Sequence, residues 1–344
     1  MGEVPYRPIW EGNADVSSSP PVPSLRPLGL GELLDRAVTL CVANFVPLSL
    51  LFLVYAIPLG IVQYFATKDV TSVLQAITEA LQSQAAGGKS GDPQAIQHAL
   101  AAAPSLNGWY PALIALMFFG GPLPTAALIE ATSALYLGRA STFGDAYRAA
   151  LGRWLPLIGI NLLYLIAGVI LYIGVVLALV VLIFGLAFVT AAVHWLGILI
   201  AVLIGTVALF AGIGFFIVVT LALQVSYFTC VVEGGGPVTS FGRGIRRVFV
   251  GVGLKRSLLV GIAFFAVALA IGIVSAFGEG ALFAAVHNSA VGVAYSTIVR
   301  IATAAFTTAF LAIFYFDLRV REEGLDLQLA ASAAQTQTQA LAPE

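Results

Sequence analysis

Residues 154–232 contain no lysine, arginine, aspartate or glutamate, a run of 79 positions. A helix rises about 1.5 Å per residue, and about 20 apolar residues cross the roughly 30 Å hydrocarbon core of a bilayer. The run is too long for one span and too short for four. Two long helices turning near "TAAVHW" (190–195) fit it, and three shorter ones are the alternative. Apolar residues make up 60% of the 344 positions and charged residues 10%, with a mean hydropathy of +0.98. Soluble domains carry about 25% charged residues, so a water-soluble fold is excluded.

Four further windows are judged by the same length. Together with the long run they predict six spans at about 45–66, 109–137, 154–186, 197–232, 257–277 and 293–316. Charge asymmetry decides between two and three spans in the long run, because cytoplasmic loops carry the excess of Lys and Arg. With both termini cytoplasmic, 13 of the 16 basic residues fall inside, Lys68 and Lys89 fall outside, and Arg300 sits near a helix end. Three spans in the run would move Arg243, Arg246, Arg247, Lys255 and Arg256 outside, so two is the better count. The first 24 residues are polar around "SSSPPVPS" and lack a signal-peptide core, which leaves insertion to the first span. They and residues 330–344, rich in Ala, Gln and Thr, read as disordered cytoplasmic tails flanking a 25–329 membrane domain. The outer loop 67–108 is expected to hold two short helices, "KDVTSVLQAITEALQSQ" and "DPQAIQHALAAA".

Three segments share a pattern: "LGELLDRAV" (30–38), "FGDAYRAAL" (143–151) and "FGRGIRRVF" (241–249). Each opens on an apolar residue and a glycine, keeps apolar side chains at helical spacing, and precedes a pair of spans. Thr142 and Asp145 are spaced as a capping box. The fold class is therefore an all-α polytopic membrane protein, its six transmembrane helices arranged as three units of an amphipathic interfacial helix plus a hairpin. The three amphipathic helices are expected to form a cytoplasmic collar of Glu32, Asp35, Arg36, Arg148, Arg153, Arg243, Arg246 and Arg247. Glu32 and Asp35 single out the first segment, and they are expected to meet the basic stretches 148–153 or 243–247.

"RPLGLGELLDRA", "VVEGGGPVTSFGRG" (231–244) and "YFDLRVREEGLDLQL" (315–329) carry a resemblance to the glycerophosphoryl diester phosphodiesterase membrane-domain family of six-helix bacterial proteins. The resemblance covers about residues 25–329 and implies a bacterial cytoplasmic-membrane location and this fold. Some members are fused to a cytoplasmic phosphodiesterase barrel, for which this sequence offers no room. It implies no catalytic residues to carry over.

Chemistry-bearing motifs are sparse. "GGKSGD" has Ser83 where a phosphate loop needs its first glycine, and the glycine turns "VVEGGGP" and "GVGLK" lack a dinucleotide-binding context. His98, His194 and His287 have no ligand spacing, although His194, His287 and Glu279 lie in outer turns that can adjoin. No GxSxG elbow, CxxC or paired intramembrane acid is present, and Cys41 and Cys230 read as buried hydrophobes. The expectation is a protein without enzymatic activity, cofactor or metal. A net charge of −1 offers no basic face for nucleic acid, so membrane lipids and a protein at the cytoplasmic face are the expected partners.

Ionisable groups at membrane depth are the usual functional pointers. Glu130 lies inside the second span, two turns beyond "FFGGPLPT" (118–125), whose Gly120, Gly121, Pro122 and Pro124 must break or kink the helix. These five residues form the candidate intramembrane cavity. Arg300 can snorkel or meet Glu279, while Asn161 and Gln224 suit interhelical hydrogen bonds. Two roles follow: a scaffold or lipid-interacting factor in envelope homeostasis, or a transporter or lipid-handling protein with a pathway past Glu130.

Overall fold

The structure is a computed structural model that describes residues 26–85, 109–250, 252–286 and 288–324. Eight α-helices and two π turns account for nearly all of them, with no strand among the described residues. Six helical stretches are long and apolar enough to cross a membrane: Phe45–Ala66, Trp109–Tyr136, Phe143–Gly174, Val202–Glu233, Gly253–Leu282 and Ala290–Glu323. The chain is an all-α polytopic membrane protein.

Helix α1 (Leu30–Ala43) ends where Asn44 folds its side-chain amide back onto the Leu40 carbonyl at 3.1 Å. Helix α2 (Phe45–Ala85) follows at once. The first of the expected outer-loop helices is no separate element. No glycine or proline interrupts residues 61–85, so α2 simply continues past its span. The second expected helix lies outside the described residues.

The second span is built from α3 (Trp109–Ala115), a π turn (Leu116–Gly120) and α4 (Pro122–Tyr136). Pro122 opens α4 at a position where a helix tolerates the missing N–H. Most of α4 is buried, and its small residues Ala126, Ala127, Ala131 and Ala134 let neighbouring helices approach closely. It therefore forms the centre of the bundle, packed by α2, by α5 (Phe143–Phe228) and by α8 (Ser289–Glu323).

Helix α5 differs from expectation in an instructive way. Thr142 and Asp145 close the predicted capping box at its start, and the segment 143–151 runs straight into the span without a break. The backbone then stays helical through 190–195, the stretch expected to turn; no proline lies between Pro156 and Phe228 to interrupt it. The chain nevertheless doubles back. The Tyr227 hydroxyl donates to Asn161 Oδ1, 66 residues earlier, whereas a straight helix would hold those residues about 100 Å apart. Residue 194 lies midway between the two, inside the predicted turn. The reversal is thus a bend in a continuous helix joining two antiparallel arms.

A π turn (Thr229–Glu233) ends α5, and Gly234 follows with φ +78°, a left-handed conformation that disfavours a side chain. Helix α6 (Pro237–Phe249) then lies across the second arm, and α7 (Val252–Val286) and α8 complete the bundle. The α6 crossing is close. A Cβ on Gly244 would sit 2.7 Å from the Ser226 backbone, while one on Gly242 would meet nothing within 4 Å.

Burial is uneven along the spans. In α8 the buried stretch runs from Ala305 to Val320, and Phe310, Phe314, Tyr315 and Phe316 there are fully enclosed. Among the described residues of α5, the buried side chains lie at 146–160 and 217–228. All these segments converge on the arginine-rich end, while toward the other end α2, α3 and α8 keep contact through Arg300–Gln63 and the stacked rings of Phe65 and Trp109. Gly244→Val should lower the thermal unfolding temperature of the purified protein by the equivalent of about 1–3 kcal/mol of overpacking, and Gly242→Val should leave it unchanged in the same melt.

Candidate functional site

The π turn in the second span has an identifiable cause and consequence. Pro122 and Pro124 remove two N–H donors from this stretch, and Gly121 N–H reaches five residues back to the Leu116 carbonyl at 3.2 Å. Pro122 leaves the Phe118 carbonyl without its i+4 donor, and a carbonyl freed at membrane depth needs another. Asn161 Nδ2 donates to the Phe118 carbonyl at 3.0 Å, and Trp154 Nε1 donates to the Phe119 carbonyl at 2.7 Å. Since Asn161 also accepts from Tyr227, one asparagine joins the second span to both arms of α5, the interhelical role its sequence position suggested.

Beyond this junction the arms of α5 separate and leave an apolar groove of about 1250 Å³. Leu165, Gly168 and Tyr172 line one wall, Phe215, Val219 and Leu223 the other. Ile114, Met117 and Phe118 close its back. Phe241, Ile245 and Phe249 of α6 form its floor at the arginine-rich end. Both walls belong to candidate spans, and the groove is partly open.

Gly120, Gly121, Pro122, Pro124 and Glu130 stand elsewhere. The two glycines pack against Tyr55 of α2, the prolines are buried inside α4, and Glu130 is half-buried two turns further on. None of the five lines the groove, whose contribution from this span ends at Phe118. Arg300, expected to snorkel or to meet Glu279, donates to Gln63 Oε1 of α2 at 2.6 Å. Cys41 and Cys230 are free thiols and buried. The side chains of His98, His194 and His287 lie outside the described residues. Among the described residues no group of three or more His, Cys, Asp or Glu side chains is placed to hold a metal ion.

The arginine-rich end is organised around acids that the sequence reading did not single out. Asp317 is 2% exposed. Its carboxylate accepts from the Leu28 N–H at 2.8 Å, from Arg256 Nε at 2.9 Å and from Arg321 Nε at 3.0 Å. The same two arginines also donate through Nη2 to the Leu28 carbonyl, each at 2.8 Å. Glu233 makes a second centre: it accepts from Arg247 Nη1 and from the Tyr315 hydroxyl, each at 2.5 Å, and from Arg243 at 3.2 Å. Arg247, 7% exposed, donates further to Thr229 and Glu323, and Arg319 holds Glu323 at 2.9 Å. The Arg247 and Arg319 guanidiniums stand 5.7 and 5.9 Å from the centre of the Tyr315 ring. Burial works against the Arg247 cation, but Glu233, Tyr315 and Glu323 more than offset it and hold it above its ordinary range.

The expected collar contacts are otherwise. Glu32 pairs inside its own segment, with Arg26 at 2.7 Å and Arg36 at 2.8 Å, and Asp35 is exposed. Arg36 is one helical turn from Glu32 and meets it without any tertiary approach. Arg148 is exposed, while Arg153 reaches the Gly234 carbonyl at 2.9 Å. A signal for the missed centres was available in "YFDLRVREE", whose Asp317–Arg321 and Arg319–Glu323 pairs are spaced i, i+4.

Comparison with protein-family models, curated proteins and solved structures finds no match to this chain.

Two stability tests follow. Asp317→Asn leaves two guanidiniums without their counter-charge and should destabilise the protein by about 3–5 kcal/mol, against about 0–1 kcal/mol for Glu32→Gln in its part-exposed pair; thermal melts in one detergent compare them. Asn161→Ala should cost about 1–2 kcal/mol, and less in a Pro122→Ala background, where the substituted residue supplies an N–H four residues beyond Phe118. A double-mutant cycle without coupling would refute the carbonyl assignment.

Proposed function

We propose that this protein is a non-catalytic, lipid-interacting factor of the bacterial cytoplasmic membrane, with both termini in the cytoplasm. Its groove takes an acyl chain from the leaflet on the arginine-rich side. The observation that carries this reading is the groove: about 1250 Å³ of apolar space, walled by candidate spans and partly open. A polar substrate finds few partners there beyond Asn161, Tyr164 and Thr220. The positive-inside rule puts the arginine-rich end, and with it the α6 floor, at the cytoplasmic leaflet. The resemblance to the stand-alone membrane domains points to the same location.

Chemistry is a poor fit to this space. The ionisable side chains of the arginine-rich end are mostly engaged with one another, and the groove wall offers no nucleophile paired with a base among the described residues. Transport past Glu130 has less support, since that carboxylate lies away from the groove.

Photo-crosslinking with a phospholipid carrying a reactive acyl chain tests the reading on the full chain in native-like bilayers. Adducts should concentrate on Leu165, Ile170 and Phe216 of the groove over Ile166, which is 50% exposed and outside it. Gly168 lines the groove with open space at its Cβ, so Gly168→Trp should reduce groove labelling to the Ile166 level without lowering the melting temperature. Uniform labelling around the bundle would defeat the proposal. Labelling that Glu130→Gln abolishes and Gly168→Trp spares would favour the transport reading.

A further inference from the structure

A second cavity, about 580 Å³, lies at the arginine-rich end on the other side of α6 and is lined by four arginines and three glutamates. Most of these charges already have partners. Arg243 and Arg247 hold Glu233, Arg247 also holds Glu323, and Arg321 holds Asp317. Two do not: Arg246 and Glu322 are exposed in this cavity, and among the described residues neither makes an ion pair. One cation and one anion without a direct ion pair therefore face the same space, Glu322 feeling the charges of Arg247 and Arg246 only at longer range.

This cavity and the groove meet over one edge of α6. Arg246 belongs to the cavity and Phe249 to the groove floor. They are i, i+3 neighbours on one helix, about 5–6 Å apart at Cβ. An amphiphile straddling that edge has its head among charges and its tail on phenylalanine.

Resting on the lipid reading above, we propose that groove and cavity together hold one phospholipid with an amine-bearing zwitterionic headgroup of the phosphoethanolamine class. Its phosphate lies at Arg246, its ammonium at Glu322, and an acyl chain passes over Phe249 into the groove. A guanidinium suits a phosphate through paired charge-assisted hydrogen bonds. A primary ammonium donates to a carboxylate, which a quaternary choline cannot do. A headgroup with negative charge alone would bring that charge toward Glu322, Glu323 and Glu233 and supply no donor to Glu322. The headgroup also answers a physical need. A chain gains little hydrophobic energy on leaving its bilayer neighbours, so residence in the groove depends on packing and on a polar anchor.

The test uses the full chain in detergent, supplied in turn with phosphatidylethanolamine, phosphatidylcholine, phosphatidylglycerol and soluble phosphoethanolamine, with retained ligand counted by native mass spectrometry. Wild type should retain phosphatidylethanolamine over the other two lipids. Glu322→Gln should erase its advantage over phosphatidylcholine, about tenfold for one charge-assisted hydrogen bond. Arg246→Gln should weaken all three lipids alike. Neither side chain supports a pair in the fold, so both variants should melt like wild type. Equal retention of the three lipids, or an unchanged preference in Glu322→Gln, overturns the headgroup assignment. Competition by soluble phosphoethanolamine as effective as the lipid itself overturns the joining of the two cavities. If Gly168→Trp releases lipid while the two headgroup variants keep it, the lipid reading stands and this inference fails; if none of the three changes retention, both fail.

Discussion

The buried carboxylate of Asp317 fixes more of this molecule than any other single group. An isolated charge in that position is prohibitive, so its surroundings must be arranged to meet it. Arg256 from α7, Arg321 one turn along α8, and the Leu28 peptide ahead of α1 do so, and the two arginines turn back onto the Leu28 carbonyl. A segment near the start of the chain is thereby tied to its last two spans. Glu233 repeats the device for the end of α5, for α6 and for α8 through Arg247 and Tyr315. Two acids thus hold one end of the bundle rigid.

The groove is the other side of that arrangement. The spans are joined by charge and by large aromatic side chains at the arginine-rich end, where Tyr136 stacks on Phe316 and Phe228 on Tyr315. Farther along, the wall rings Tyr164 and Phe215 meet the α6 floor at Phe241 and Phe249, and the two arms of α5 part beyond Asn161. An ion-paired base below the parting arms gives a cleft with a charged rim and an apolar depth. That combination suits a ligand with a defined head and a variable chain.

The fold was legible in the sequence because span length and charge asymmetry are strong, local signals. The apolar run 154–232 and the basic stretches around it were enough to count the helices, and Thr142 with Asp145 marked a helix start that the structure shows. The unbroken path of α5 was not legible: a reversal is expected to interrupt a helix, and only the absence of proline hinted otherwise. The acids were misjudged for a different reason. Glu32 and Asp35 stood out as oddities in a basic pattern, yet Arg36 satisfies Glu32 one turn away. Asp317 was not singled out, because nothing local reveals a partner 289 residues distant. At the second span the kink was legible from Pro122 and Pro124, but the space it helps to shape lies on the preceding turn, at Met117 and Phe118.

The carbonyls of Phe118 and Phe119 bear on how the chain is made. Their donors, Asn161 and Trp154, sit on the next span to emerge from the ribosome. Until that span arrives, the second one carries the Phe118 carbonyl without the i+4 donor that Pro122 removes, unfavourable by several kcal/mol in hydrocarbon. The second span therefore reaches its final depth and pitch only in company with the third. The proline that loosens one helix thereby makes it depend on its neighbour.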